Sequence, residues 1–135
     1  MKKRAETNEA GAALAAPVVL IVDDSPVVTH ALAQILREEG YLPLVCHTAE
    51  EALASALVHA PAAAVIDIHL PDMSGLVLSA KLRERIGQGP PIIILSGDTS
   101  MENLRSLQHV GATYFISKPL NAEHLLEKLG ELVPG

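Results

Sequence analysis

Apolar positions along this chain alternate between two textures. Short unbroken runs, VVLIV at Val18–Val22, AAVI at Ala63–Ile66 and PIIIL at Pro91–Leu95, carry no polar residue. Such runs suit strands of a parallel sheet covered on both faces, where each side of the pleat meets apolar neighbours. Tyr41–Cys46 and Ala112–Ser117 read as two further strands, and Pro43 suits the first of these to a sheet edge, since proline cannot donate to a ladder.

Between the runs the spacing turns helical. Ser25 and Pro26 provide a cap and a first-turn proline. Val27, Val28, Ala31, Leu32, Ile35 and Leu36 follow at the spacing of one helical face, and Gly40 closes that helix. Thr48 with Glu51 is a capping-box pair opening a helix with Ala52, Leu53, Ala56 and Leu57, which stops before Pro61. A third helix carries Leu76, Leu78, Leu82 and Ile86 and ends at Gly87, Gly89 and Pro90. Ser100 caps a short fourth with Met101, Leu104 and Leu107, terminated by Gly111, and Asn121 caps a fifth with Leu125, Leu126, Leu129 and Leu132. Five strands alternating with five helices predict an α/β fold, a doubly wound parallel sheet joined by right-handed crossovers. Residues 1–16, polar and then Ala/Gly-rich without periodicity, read as a flexible tail, leaving 17–135 as one domain.

Composition narrows the class. Of 135 residues, 49% are hydrophobic and 19% charged, the balance of a globular chain. A chain of this length buries roughly two-thirds of its unfolded surface and needs no metal or disulfide staple. With aromatics at 2%, the core must be built from Ala, Val, Leu and Ile. A net charge of −6, with no basic cluster beyond Lys2-Lys3-Arg4, argues against direct nucleic-acid binding. The single Cys46 reads as a core residue, and the absence of paired thiols points to the cytoplasm. The basic start and the apolar run Ala10–Val22 do not form a signal peptide, because Glu6, Asn8 and Glu9 interrupt the start and the run leads into Asp23-Asp24 rather than a small-residue cleavage site. No stretch reaches the ~18 apolar residues of a membrane span.

The strand runs end on chemistry. Asp23 and Asp24 follow the first, Asp67 the third, Ser96 the fourth and Lys118 the fifth. In a parallel sheet these side chains share one rim, the rim where open α/β sheets bind ligands. Crowded carboxylates raise one another's pKa unless neutralised, and Mg²⁺ is the fitting cation, taking one or two carboxylates, several waters and phosphate oxygens. Lys118 and Ser96 add a positive charge and a hydroxyl, shaping the pocket for a phosphoryl group.

The Asp pair after the first strand, the Asp of VIDIHLPDMSG, the Ser of IIILSG and the Lys-Pro of YFISKP together resemble the receiver domain of two-component response regulators, over about residues 17–133. The resemblance implies a flavodoxin-like, three-layer fold with strand order 2-1-3-4-5. It makes Asp67 the acceptor of phosphoryl from a histidine of a sensor kinase or phosphotransfer protein. Mg²⁺ would sit on Asp24, Asp67 and the backbone carbonyl of His69, with Asp23 acting mainly through water. Ser96 and Lys118 would hold the phosphoryl, and Ser96 with Phe115 would switch the surface of the fourth helix, fifth strand and fifth helix, toward a downstream protein or a second copy. His69, Gly97 and Asp98 would tune phosphoryl lifetime. No output domain follows Gly135, which fits a stand-alone regulator or a receiver module cut from a longer transcription factor or hybrid kinase.

Two other functions share parts of this pattern. An aspartate-nucleophile phosphatase needs a second acid two residues after the nucleophile, where His69 stands. A flavin-binding carrier needs a hydroxyl- and glycine-rich loop after the first strand, where Asp23-Asp24-Ser25-Pro26 stands.

Overall fold

Five strands, β1 (Val18–Val22), β2 (Leu42–Cys46), β3 (Ala63–Asp67), β4 (Ile92–Ser96) and β5 (Tyr114–Ser117), pair in parallel in the order β2-β1-β3-β4-β5. The structure, a computed structural model, describes residues 16–87, 90–97 and 114–133. Helices α1 (Pro26–Glu38), α2 (Ala49–His59) and α3 (Gly75–Ile86) join successive strands, and α4 (Ala122–Leu132), the helix expected last in the chain, follows β5. The short helix expected from Ser100 to Gly111, Asp98, and nearly all of the N-terminal tail lie outside the described residues. Among the described residues no helix is long and apolar enough to cross a membrane.

The unbroken runs are explained by two cores, one on each face of the sheet. Val19, Ile21, Val65, Ile93 and Leu95 pack with Leu32 and Leu36 of α1 and Leu125 and Leu129 of α4. Their strand neighbours Leu20, Val22, Ile66, Ile92 and Ile94 pack on the other face with Ala52 and Ala56 of α2 and Leu78 and Leu82 of α3. Alternation exists in the strands but is apolar in both phases, so it leaves no polar trace. The edge position of β2 follows from Pro43. Leu42 donates its N–H to the Pro17 carbonyl at 2.9 Å on the β1 side, so the alternation of the strand turns the Pro43 nitrogen to the open edge.

The caps form as the residue types dictate. Ser25 Oγ accepts from the Val28 N–H, and Thr48 and Glu51 exchange side-chain-to-backbone bonds as a full capping box. Asn121 Oδ1 accepts from the His124 N–H at 3.1 Å. Gly40, at φ 88, takes the left-handed turn that brings the chain from α1 into β2.

Two helical faces depart from the expected stripes. Val27 is 80% exposed and Ala31 is also outside, because the inward line of α1 runs through Thr29, Leu32, Ala33 and Leu36. Leu57 is 57% exposed, since the buried line of α2 passes through Ala49, Ala52, Leu53 and Ala56 and then leaves the helix. Tyr41 is buried, although it precedes β2, and the fourth strand begins at Ile92, with the Pro91 carbonyl accepting from Ala64 N–H. Cys46 is a buried core residue.

Leu36 is fully buried in the α1 core, so Leu36→Ala is expected to lower unfolding free energy by about 2–5 kcal/mol. Val27→Ala, at an exposed position, is expected to stay within about 0.5 kcal/mol of the parent. Urea denaturation of both variants checks the pair.

Candidate functional site

The carboxyl ends of β1, β3, β4 and β5 bring the predicted residues to one rim. Val22 pairs with Ile66, Asp67 with Leu95, and Ser96 with Ser117, so Asp23, Asp67, Ser96 and Lys118 leave their strands at nearly the same level. The Lys118 backbone N–H donates to the Ser96 carbonyl at 2.8 Å, carrying the ladder one step past β5. Lys118 Nζ then reaches across, 3.2 Å from Asp67 Oδ1 and 3.9 Å from Asp23 Oδ2. Asp23, Asp24 and Asp67 each present an oxygen, all within 4.8 Å of one another.

Burial sets the electrostatics. Asp23, Asp67 and Ser96 are buried, Asp24 is exposed, and the side chain of Lys118 is 36% exposed. Asp23 Oδ1 accepts from the Ser25 N–H at 2.9 Å, whereas Asp23 Oδ2 is buried and accepts no hydrogen bond. Burial pushes the Asp23 carboxyl above its usual range, and the charges of Asp67 and Asp24 push the same way. The Ser25 N–H and Lys118 oppose them in part. A buried carboxylate oxygen without a donor, beside two further carboxylates, is a poor arrangement for a pocket left to itself. All-oxygen donors of concentrated negative charge fit a hard divalent cation, and Mg²⁺ fits because it tolerates few protein ligands.

Of the remaining expected residues, His69, Gly97 and Phe115 lie among the described ones. His69 is exposed, with its backbone N–H 3.4 Å from Asp67 Oδ1. Gly97 is exposed and has open space where a Cβ would stand. Phe115 pairs with Ile94 and packs against the core on the α2 and α3 side.

Two features of the loop between β3 and α3 exceed what its turn-forming residue types announce. Gly75 donates its N–H to the Ile68 carbonyl at 2.7 Å, and a Cβ there would collide with the Asp67 carbonyl oxygen and lie 2.9 Å from Ile68 Cα. Glycine is needed for this close approach. Asp72 spends both carboxylate oxygens on the first turn of α2, accepting from Ala49 N–H at 2.9 Å and Glu50 N–H at 3.0 Å. The close approach of Gly75 has a local signal in Ser-Gly at a helix start, while the partners of Asp72 lie more than twenty residues upstream and leave none.

A parallel, doubly wound sheet with an acid pocket and a lysine at its carboxyl rim defines an open α/β protein of the class whose ligands bind at that rim. Within that class the chain belongs to the response regulator receiver domain family, whose model matches residues 19–130. It is 31% identical over 117 residues to the sensory/regulatory protein RpfC of Xanthomonas campestris, covering 84% of this chain and 16% of that protein. It is 32% identical over 115 residues to the probable transcriptional regulatory protein TcrX of Mycobacterium tuberculosis, covering 85% of this chain and 49% of the relative. The chain thus spans about half or less of these curated relatives. Among solved structures, the chemotaxis protein CheY4 of Vibrio cholerae superposes with a TM-score of 0.83 at 31% identity, over 87% of this chain and 99% of that one. Receiver domains are generally signalling modules rather than enzymes of turnover.

Asp23 carries a signed pH dependence. Its raised folded value means that stability is greatest below the unfolded value near 3.8 and falls as pH rises through that value toward the folded one. Asp23→Asn, which keeps an oxygen for the Ser25 N–H and carries no charge, is expected to give a higher urea midpoint than the parent in chelator at pH 7. The difference should vanish at the acid end of the series; equal midpoints throughout would contradict the burial penalty. For Gly75→Ala, overpacking against the Asp67 carbonyl is expected to cost about 1–3 kcal/mol in the same assay.

Proposed function

We propose that this chain is the phospho-accepting receiver of a His-to-Asp phosphorelay, with Asp67 as the acceptor. One observation carries the reading: Lys118 Nζ lies 3.2 Å from Asp67 Oδ1 in a rim where three carboxylates approach within 4.8 Å. An oxygen of Asp67 forms the new bond to phosphorus as the phosphorus–nitrogen bond to the donor histidine breaks, and the imidazole leaves carrying its proton. The donor is already reactive, so the protein's part is positioning and charge neutralisation.

In this reading Asp24, Asp67 and the His69 carbonyl hold Mg²⁺, with Asp23 behind them through water. The bound cation supplies positive charge to the phosphoryl oxygens. The exposure of Asp24 and the engagement of Asp23 Oδ1 by the Ser25 N–H support this division. Lys118 pairs with the transferred group, and Ser96, buried at the end of β4, donates its hydroxyl to it. The exposed His69 and Gly97, together with Asp98, govern how water reaches the acyl phosphate.

Moving a two-state equilibrium from 1:99 to 99:1 takes about 5.5 kcal/mol of differential interaction. Charged hydrogen bonds are worth about 1.5–3 kcal/mol each, so new bonds through Ser96 and Lys118 supply most of it. Phe115, three residues before Lys118, has no hydroxyl, so it conveys the change through packing alone. The surface of the expected fourth helix, β5 and α4 then meets a downstream protein or a second copy. A cytoplasmic sensor histidine kinase or phosphotransfer protein is the donor, and the receiver occupies 17–135.

Incubation with Mg²⁺ and acetyl phosphate, read by intact mass, tests the reading. The parent should gain one phosphoryl group that hydroxylamine removes, Asp67→Asn none, and Lys118→Ala should react roughly 10²-fold more slowly. Chelator should abolish the gain. Equal labelling of Asp67→Asn would remove the acceptor assignment.

A further inference from the structure

The loop from Ile68 to Ser74 carries the His69 carbonyl and begins beside the acceptor. At its base it is closed by the antiparallel bridge between His69 and Ser74 and by the bond from Gly75 N–H to the Ile68 carbonyl. Its tip would be free to swing about that base, because Pro71 and Asp72 are exposed and belong to no strand or helix. Asp72 removes that freedom. Its two oxygens hold the first two backbone N–H groups of α2, an element from another part of the chain.

The start of α2 does not otherwise need this help for its other donors. Thr48 Oγ1 accepts from Glu51 N–H at 3.1 Å, and Glu51 Oε1 accepts from Thr48 N–H at 3.2 Å and from His47 N–H at 2.7 Å. A capping box leaves the N–H groups of Ala49 and Glu50 to water or another acceptor. Here one carboxylate takes both, with the charge sign that a helix N-terminus favours. We propose that Asp72 is a positioning residue of the acceptor site, fastening the β3–α3 loop to α2 so that the His69 carbonyl stays aligned with Asp67. This rests on the receiver reading for what the loop must hold, while the clamp itself is a property of the metal-free protein. The same two N–H groups hold the Asp72 carboxyl below the usual carboxylate range, Ala49 first, so the clamp is charged throughout the neutral range.

The structural alternative is that Asp72 merely steadies α2. Thr48→Ala separates the two, because it weakens the same helix end without touching the loop. In metal-free protein, amide exchange across residues 68–74 should accelerate in Asp72→Ala and not in Thr48→Ala. Amide-shift titration with Mg²⁺ should then show binding weakened about 10-fold in Asp72→Ala, the lower end of the effect of losing a group that orients a metal ligand. Asp72→Asn, keeping one acceptor oxygen, should fall between. The rate of labelling by acetyl phosphate in Asp72→Ala should be recovered in large part at saturating Mg²⁺. Unchanged exchange in 68–74, or equal Mg²⁺ weakening in Asp72→Ala and Thr48→Ala, overturns the proposal. A parent that responds neither to Mg²⁺ nor to acetyl phosphate, with the exchange difference present, overturns the receiver reading and leaves the clamp standing.

Discussion

Two buried carboxylates that repel one another, Asp23 and Asp67, are held together by the sheet that delivers them, with the exposed Asp24 beside them. Asp23 and Asp67 are buried because the strands that deliver them, β1 and β3, are two of the three inner strands of a sheet covered on both faces. Slipping either strand by one residue would exchange its apolar set between the two cores and unseat the whole register, so the repulsion cannot be relieved by local movement. Apolar packing therefore holds the charge density in place. Lys118 offsets part of it, from 3.2 Å at Asp67 Oδ1 and 3.9 Å at Asp23 Oδ2, and the latter oxygen still accepts no hydrogen bond.

The two cores also divide the surroundings of the site. On one face α1 and α4 pack on β1, β3 and β4, and the loop leading into α1 carries Asp24. On the other face α2 and α3 pack on the same strands, and the loop between β3 and α3 is tied to α2 by Asp72. Phe115 belongs to this second face, packing against its core and pairing with Ile94 although it comes from the edge strand β5. An edge strand lies where a side chain can repack without opening the centre of the sheet, the condition for a change in contacts at modest cost.

Much of this was legible in the residues. Unbroken apolar runs ending on Asp, Asp, Ser and Lys located both the sheet and the rim where those residues come together, because apolar burial and strand direction leave one end of the sheet for them. Pro43 placed its strand at the edge, and Thr48 with Glu51 marked the start of α2. Helical faces were less legible: Val27 and Leu57 read as core by spacing alone, yet the inward line of each helix passes beside them and through small residues, Thr29 in α1 and Ala56 in α2. Spacing fixes a stripe only to within about one residue of 100°, and the small residues filling it carry a weak apolar signal.

Asp72 shows why the loop was the least legible part. As a residue type it is sufficiently explained by the turn around it, so nothing local asks for a second role. Only the fold brings Ala49 and Glu50 to it, across the layer formed by α2 and α3. Strand β3 ends in a loop fastened at three points: at Gly75 by close backbone approach, at the His69–Ser74 bridge, and at Asp72 by charge. The first two act within the loop and fix its shape, whereas the third fixes where that shape sits. A carbonyl in a correctly shaped but unanchored loop would meet a cation only part of the time, and the affinity would fall by the fraction of time it is misplaced.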